Sequence, residues 1–347
     1  MKLNNIIMSS FNFNISITDF IKNIDKKQDF ATSGFATISN GENVGKEFYY
    51  GIIADGHGGN YIINLIKKLD WNKIMSQDDP WIYFYENYIK NLTTIELSGS
   101  TLILMRAFTD HIQTISIGDS IVLIYINGEH VYNNTPHNLN NPSEKSRLDK
   151  NSNYINYRKL DIVPKIRNSS SIQGSIGYYY KFVNSNLEEL EIATTQAVGH
   201  NNITGYQPEY NICHFNPSDQ VNLIMGSDGL FDMLIIEKFI SNTPILTDED
   251  ILDIETEKKE ILLMNAEQIV LHAEKRWKKN DWNYHYNNND YTQKCTAAYP
   301  RYDDISAVVF TKEGVELNKV VLDNDVKLNN DVELNDDVIN LLNNICI

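Results

Sequence analysis

Short runs of apolar and β-branched residues, separated by turn residues, recur along the chain. The segment Phe48 to Ala54 (FYYGIIA) is typical of a buried strand. Asn127-Gly128 predicts a tight hairpin turn, because both central positions of a type I′ turn need positive φ. The other runs that predict strands are Thr101 to Ala107, Thr114 to Ile117, Ile121 to Ile126, Gln220 to Met225 and Ile305 to Phe310.

Helical spacing of apolar residues predicts three helices between these strand clusters. The first follows Gly59, where Ile62, Leu65, Ile66 and Leu69 share one face. The second is predicted across Pro80 to Lys90, with proline near its start, and the third spans Ile261 to Trp277.

Strands occur in clusters, with helices between the clusters rather than after each strand. This order predicts an α+β fold with antiparallel sheets, and two sheets packed face to face with helices outside would use these elements. From Asn133 to Asn186 periodicity is weak, and we predict long connections with one or two short strands.

Three regions differ in character along the chain. We predict a domain over residues 25–313, an N-terminal extension over residues 1–24 and a tail over residues 314–347. The tail repeats DVKLN as DVELN, is acidic and rich in Asn, and is expected to be disordered.

Net charge narrows the classes of binding partner, and cysteine usage narrows the cellular compartment. The 347 residues carry a formal net charge of -16, which disfavours nucleic-acid and anionic-membrane partners. The three cysteines are far apart and form no C-x-x-C pair, which fits a reducing compartment. We predict a cytoplasmic monomer, with a nuclear or particle-associated location left open.

Acidic residues follow or precede strands at four places, and three of these lie next to glycine. They are Asp55 in Asp55-Gly56-His57-Gly58-Gly59, Asp119 in Gly118-Asp119-Ser120, Asp228 in Ser227-Asp228-Gly229, and Asp303-Asp304. A lone Asp-Gly pair is usually only a turn. Carboxylates at several strand ends can converge on one sheet edge, and hard oxygen ligands favour Mg²⁺ or Mn²⁺ over zinc.

In this order the segments resemble the type 2C metal-dependent serine/threonine protein phosphatases. The matching pieces are Gln28-Asp29, YYGIIADGHGG, Ser98-Gly99-Ser100-Thr101, ISIGDS, Thr194 to Gly199, LIMGSDGLFD and Asp303-Asp304-Ile305-Ser306. The resemblance implies a sandwich of two antiparallel β-sheets flanked by α-helices. It also implies a phosphoprotein substrate.

The resemblance further implies roles for single residues. Two divalent cations, Mn²⁺ or Mg²⁺, would be bridged by Asp55 and bound by the Gly56 carbonyl. Asp228 and Asp303 would complete the binuclear site, Asp29 would contribute through water, and His57 would protonate the leaving alkoxide. Asp119, together with Asp228, would form a weaker third metal site.

Several positions differ from the family pattern. Ile24 stands where the family has an arginine that binds the substrate phosphate, so Lys22, Lys26 and Lys27 become candidates for that contact. Gln28 replaces a glutamate. Two other segments also depart from the pattern: Gln196 stands for an arginine and His200 for an aspartate, and Pro136-His137 replaces an Asp-His pair.

These features support three hypotheses. The first is an active phosphoserine/phosphothreonine phosphatase with metal-activated water. The second is a pseudophosphatase, which keeps the fold as a binding or regulatory module, as the missing arginine and glutamate would suggest. The third is a metal-dependent hydrolase of small phosphoesters, which a panel of phosphopeptide and metabolite substrates would separate from the first.

Overall fold

A computed structural model gives the fold. It describes residues 14–23, 26–92, 97–138, 141–150, 157–166, 176–184, 189–192, 194–202, 204–234, 236, 248–277, 283–286, 291–294 and 303–314. The predicted tail lies outside these residues, apart from its first position.

Two antiparallel sheets form the centre of the molecule. One has five strands in the order β1-β17-β14-β7-β8. The other has the order β12-β4-β3-β5-β6-β13, with β2 also paired to β3. Their strands are β1 (Ile15–Lys22), β2 (Asp29–Thr37), β3 (Glu47–His57), β4 (Gly99–Ser100), β5 (Leu102–Ala107), β6 (His111–Ile117), β7 (Ile121–Ile126), β8 (Glu129–Asn133), β12 (Val198–Gly199), β13 (Glu209–His214), β14 (Val221–Gly226) and β17 (Ile305–Lys312).

Helices cover the outer faces of both sheets. The helices are α1 (Tyr61–Ile66), α2 (Trp71–Met75), α3 (Pro80–Phe84) with a π-helical turn (Tyr85–Ile89), α4 (Pro142–Lys150), α5 (Asp228–Phe231), α6 (Asp248–Ile261) and α7 (Ala266–Trp277). Within the described part of the chain, no helix is both long and apolar enough to cross a membrane.

Successive side chains along each central strand point to opposite faces of its sheet, and this alternation builds three hydrophobic layers. In β3, Ile53 faces the space between the sheets, where it meets Val308 and Phe310 of β17. Its neighbour Ile52 faces α1 to α3 on the other side. In β17, Val309 packs instead toward α5, α6 and α7. The fold is therefore the predicted sandwich of two antiparallel sheets between helical layers.

The predicted strands and the hairpin turn are present with small shifts at their ends. Asn127 has φ 52° and Gly128 has φ 80°, as a type I′ turn requires. The third predicted helix differs, because it begins at Ala266 rather than Ile261. Asn265 and Gln268 exchange backbone-to-side-chain hydrogen bonds and so start α7.

Residues 133–186 contain more regular structure than the weak periodicity predicted. Besides α4, strands β9 (Tyr157–Ile166) and β10 (Ile176–Asn184) pair with each other, and β11 (Glu189–Ile192) pairs with β10. The run GYYYKFV in β10 is rich in residues that favour strands. Frequent Asn and Ser residues between such runs weaken the hydrophobic periodicity of the whole region. A separate hairpin joins β15 (Asn283–Tyr286) and β16 (Tyr291–Lys294).

The strand β1 lies within the segment predicted as an N-terminal extension. It pairs along its whole length with β17, so Ile15 lies opposite Lys312 and Lys22 lies opposite Ile305. This part of the segment therefore forms an edge of the five-stranded sheet.

Candidate active site

Asp29 and Asp55 lie opposite each other on neighbouring strands. Strand β2 pairs with β3 in the register that places Asp29 beside Asp55, and the Gly56 amide donates to the Gln28 carbonyl at 2.9 Å. On the other side, the Asp55 amide donates to Oγ1 of Thr101 at 3.0 Å. These two hydrogen bonds, to Gln28 and to Thr101, hold the backbone at Asp55 and Gly56 in place near the end of β3.

Asp228 and Asp303 come from adjacent strands of the other sheet. Asp228 begins α5 directly after β14, and Asp303 lies two residues before β17. The two strand ends are joined by a hydrogen bond from the Ser306 amide to Oγ of Ser227 at 3.1 Å. A Cβ on Gly229 would lie 2.1 Å from the Asp304 carbonyl oxygen, so this approach needs glycine.

One hydrogen bond links the ends of the two sheets. The backbone amide of Gln28, just before β2, donates to Oδ2 of Asp304 at 2.7 Å. This contact brings the Asp29–Asp55 pair of one sheet toward the Asp228–Asp303 pair of the other. Carboxylates separated by more than 270 residues in the sequence thus share one end of the sandwich.

Electrostatic effects show that these carboxylates are mutual neighbours. Burial raises the pKa of Asp55 well above its usual range, and the charges of Asp228, Asp29, Asp303 and Asp119 raise it further. Burial also raises the pKa of Asp29, to about 7. Burial and Asp228 raise the pKa of Asp303 as well. Such a cluster is unfavourable when fully ionised unless a cation neutralises it.

The residues present suit a hard divalent cation. Asp29 is 1% exposed, and its Oδ2 is buried without a hydrogen-bond partner, as expected of an oxygen that binds a ligand. The acidic groups are all carboxylates, which Mg²⁺ and Mn²⁺ prefer. Among the described residues no three His, Cys, Asp or Glu side chains are arranged as a coordination cage.

Asp119 lies in the turn between β6 and β7 and is buried. Its neighbour Gly118 has φ 100°, and the Gly118 amide donates to Nδ1 of His137 at 3.1 Å. The Asp119 charge is one of those that raise the pKa of Asp55. Asp119 therefore interacts electrostatically with the acidic cluster.

His57 ends β3 and contacts two residues from a distant segment. Its Nε2 lies 3.2 Å from Oγ1 of Thr194, and its ring meets the His200 ring edge-on with centroids 4.6 Å apart. Burial lowers the pKa of His200 well below its usual range, and His57 lowers it further. Neither Thr194 nor His200 is a predicted site residue, although the Gly199-His200 departure from the family pattern marks this segment.

The three candidate lysines have different surroundings. Nζ of Lys22 lies 3.4 Å from Oε1 of Glu274. Lys26 contacts both carboxylate oxygens of Asp303, at 2.8 Å and 3.0 Å. Lys27 has φ 55°, and its carbonyl accepts a hydrogen bond from Nζ of Lys67 at 2.7 Å.

Solved structures with a similar fold include several phosphatases. A sex-determining protein of C. elegans is 14% identical with a TM-score of 0.47, and the match covers 86% of this chain and 64% of that chain. The serine-threonine phosphatase 2C of Toxoplasma gondii is 12% identical with a TM-score of 0.46, covering 87% and 95%. The serine/threonine phosphatase of Staphylococcus aureus is 13% identical with a TM-score of 0.40, covering 90% and 100%.

Sequence comparison gives the family. No curated protein shows significant sequence similarity to the chain. The family model described as protein phosphatase 2C matches residues 31–242, which is well over half of the chain. The matched region contains Asp55, His57 and Asp228, which lie at the end of the sandwich described above. The chain therefore belongs to the protein phosphatase 2C family.

Proposed function

We propose that this chain hydrolyses phosphoserine and phosphothreonine in proteins at a binuclear metal site. The observation that carries the proposal is the convergence of Asp55, Asp228, Asp303 and Asp29 at one end of the sandwich, where burial raises the pKa of Asp55 and the charges of the other three raise it further. Members of the family depend on Mn²⁺ or Mg²⁺, and this acidic group suits either cation.

The proposed ligands divide between the two sheets. From the seven-stranded sheet, Asp55 would bridge the cations, the Gly56 carbonyl would bind one of them, and Asp29 would act through water. From the five-stranded sheet, Asp228 and Asp303 would complete the site. Bound cations would lower the pKa of the attacking water and neutralise charge on the phosphoryl group. In addition, Asp119 with Asp228 would hold a weaker third cation.

His57 is proposed as the general acid. The serine or threonine alkoxide is a poor leaving group, and a positioned proton donor accelerates its departure by about 10²–10⁴-fold. Thr194 and His200 contact the His57 imidazole from the segment 194–200. These contacts support a fixed orientation of the ring two residues from Asp55, where a substrate phosphate would lie.

A phosphatase assay tests this proposal directly. The full chain is incubated with a phosphothreonine peptide and Mn²⁺ or Mg²⁺, with and without EDTA, beside the variants Asp228→Asn and Asp253→Asn. Asp253 is exposed on α6 and serves as the matched control. We expect metal-dependent phosphate release that Asp228→Asn lowers by at least about 100-fold and that Asp253→Asn leaves unchanged. Turnover that survives both EDTA and Asp228→Asn would contradict the metal mechanism.

A binding or regulatory module is the second candidate function, and two observations favour it. The side-chain Nε2 of Gln28 donates to the Gly59 carbonyl at 3.1 Å and to Oδ1 of Asn60 at 2.9 Å. The ammonium group of Lys26 contacts the Asp303 carboxylate. A folded chain that binds Mn²⁺ and releases no phosphate from phosphopeptides or small phosphoesters would favour this function. Release from small phosphoesters alone would instead indicate a metabolite hydrolase.

A further inference from the structure

The ammonium group of Lys26 lies inside the acidic cluster. It contacts both carboxylate oxygens of Asp303, at 2.8 Å and 3.0 Å. A cation of the chain itself therefore occupies one of the four carboxylates proposed to bind metal.

The backbone beside Lys26 is held in place. Lys27 adopts φ 55°, and its carbonyl accepts a hydrogen bond from Lys67 at 2.7 Å. The backbone amide of Gln28 donates to Oδ2 of Asp304 at 2.7 Å. Two anchors thus direct the turn that carries Lys26 toward the loop of Asp303 and Asp304, so the contact does not depend on a freely moving surface segment.

The side chain itself can leave. It is 53% exposed, and lysine carries its charge on a flexible four-carbon stem. An ammonium group and a divalent cation repel each other, and Lys26 already contacts both oxygens of Asp303. A metal ion that binds Asp303 therefore competes with Lys26 and favours rotation of the lysine toward solvent.

We propose that Lys26 is a built-in counter-cation that competes with a divalent metal ion for Asp303. In the metal-free protein it neutralises part of the acidic cluster, and it is displaced when metal binds. The inference rests on the proposed metal site. Because the turn at residues 26–28 positions Lys26, that turn would influence how tightly Asp303 binds metal.

Calorimetric titration of Mn²⁺ into the full chain tests the competition. The wild type is compared with Lys26→Met and with Lys22→Met, whose lysine faces Glu274 instead. We expect Lys26→Met to bind Mn²⁺ about tenfold more tightly, at the lower end of the effect of outer-shell groups on metal affinity. Lys22→Met should bind like the wild type. Unchanged or weaker binding by Lys26→Met would overturn the proposal.

A second measurement uses the unaltered protein. Amine acylation at each lysine is followed by mass spectrometry with and without saturating Mn²⁺. Displacement predicts faster acylation of Lys26 in the presence of Mn²⁺ and an unchanged rate at Lys22. An unchanged rate at Lys26 under saturating Mn²⁺ would show that the ion pair persists and would overturn the proposal.

Neither experiment uses a phosphorylated substrate, so the outcome is independent of phosphatase activity. A chain that lacks turnover but shows tighter binding in Lys26→Met and metal-dependent exposure of Lys26 supports the competition and contradicts the proposed function. If neither the wild type nor Lys26→Met binds Mn²⁺, the metal site and the competition fail together.

Discussion

His57 has surroundings that suit proton donation. The neighbouring His200 is 1% exposed, and its pKa is lowered well below the usual range by burial and then by His57. At neutral pH His200 is therefore uncharged, and it packs against His57 through the ring edge. The His57–Thr194 contact adds a polar partner at Nε2. These contacts support a fixed orientation of the His57 imidazole.

Replacing His57 tests its role separately from metal binding. We expect His57→Gln to lower kcat for a phosphothreonine peptide by about 10²–10⁴-fold, because the proton donor is lost. The Mn²⁺ affinity should stay near that of the wild type, since His57 is not a proposed ligand. Steady-state kinetics and calorimetry check both values.

His214 provides the control for that substitution. It is exposed at the end of β13, where it contacts the ring of His111. His214→Gln should leave kcat unchanged. If both histidine variants lose activity equally, or if His57→Gln retains full kcat, the proton-donor role of His57 is wrong.

At the scale of elements, local hydrogen bonds decide where helix α7 begins. The Gln268 amide donates to Oδ1 of Asn265 at 2.9 Å, and the Asn265 amide donates to Oε1 of Gln268 at 2.9 Å. This reciprocal pair satisfies two donors at the helix start. The helix then packs Ile269, Val270 and Ala273 against the outer face of the five-stranded sheet.

Removal of the cap should destabilise the protein measurably. We expect Asn265→Ala to lower the free energy of unfolding by about 1 kcal/mol, as measured by urea denaturation. Because the two side chains act together, the double variant Asn265→Ala/Gln268→Ala should lose less than the sum of the single losses. Strictly additive losses would mean that the two hydrogen bonds are independent.

At the scale of the whole molecule, the layer between the sheets holds the two halves of the candidate site together. Phe310 of β17 is fully buried in this layer, and its ring centroid lies 6.3 Å from that of Tyr49 in β3. Asp303 precedes β17, and Asp55 lies near the end of β3. The packing of these two strands therefore sets the distance between carboxylates of different sheets.

A cavity in this layer should weaken both stability and metal binding. We expect Phe310→Ala to lower the free energy of unfolding by about 3–5 kcal/mol, measured by urea denaturation. If the variant folds, its Mn²⁺ affinity should also fall, because the carboxylates of the two sheets are held less closely. Ile212→Ala, at a position 55% exposed on strand β13, should cost far less and leave Mn²⁺ affinity unchanged.

Much of this fold is determined locally by the sequence. The strand at Phe48 to Ala54 and the turn at Asn127-Gly128 were predicted because burial pattern and turn conformation depend on adjacent residues. The antiparallel arrangement followed from the order of the elements. Strand β1 was not predicted as a strand, since its residues ISITDFIK pair with β17, which lies almost 300 residues away.

In the candidate site, too, some features follow from the local sequence and others only from the tertiary structure. The sequence by itself placed Asp55, Asp228 and Asp303 beside strand ends. Glycines mark the ends at Asp55 and Asp228, and the apolar run ISAVVF begins just after Asp303-Asp304. Only the tertiary structure decided that Asp29 lies opposite Asp55 and that Lys26 contacts Asp303. Strand register and the packing of two sheets depend on contacts between residues far apart in the chain, which no local pattern encodes.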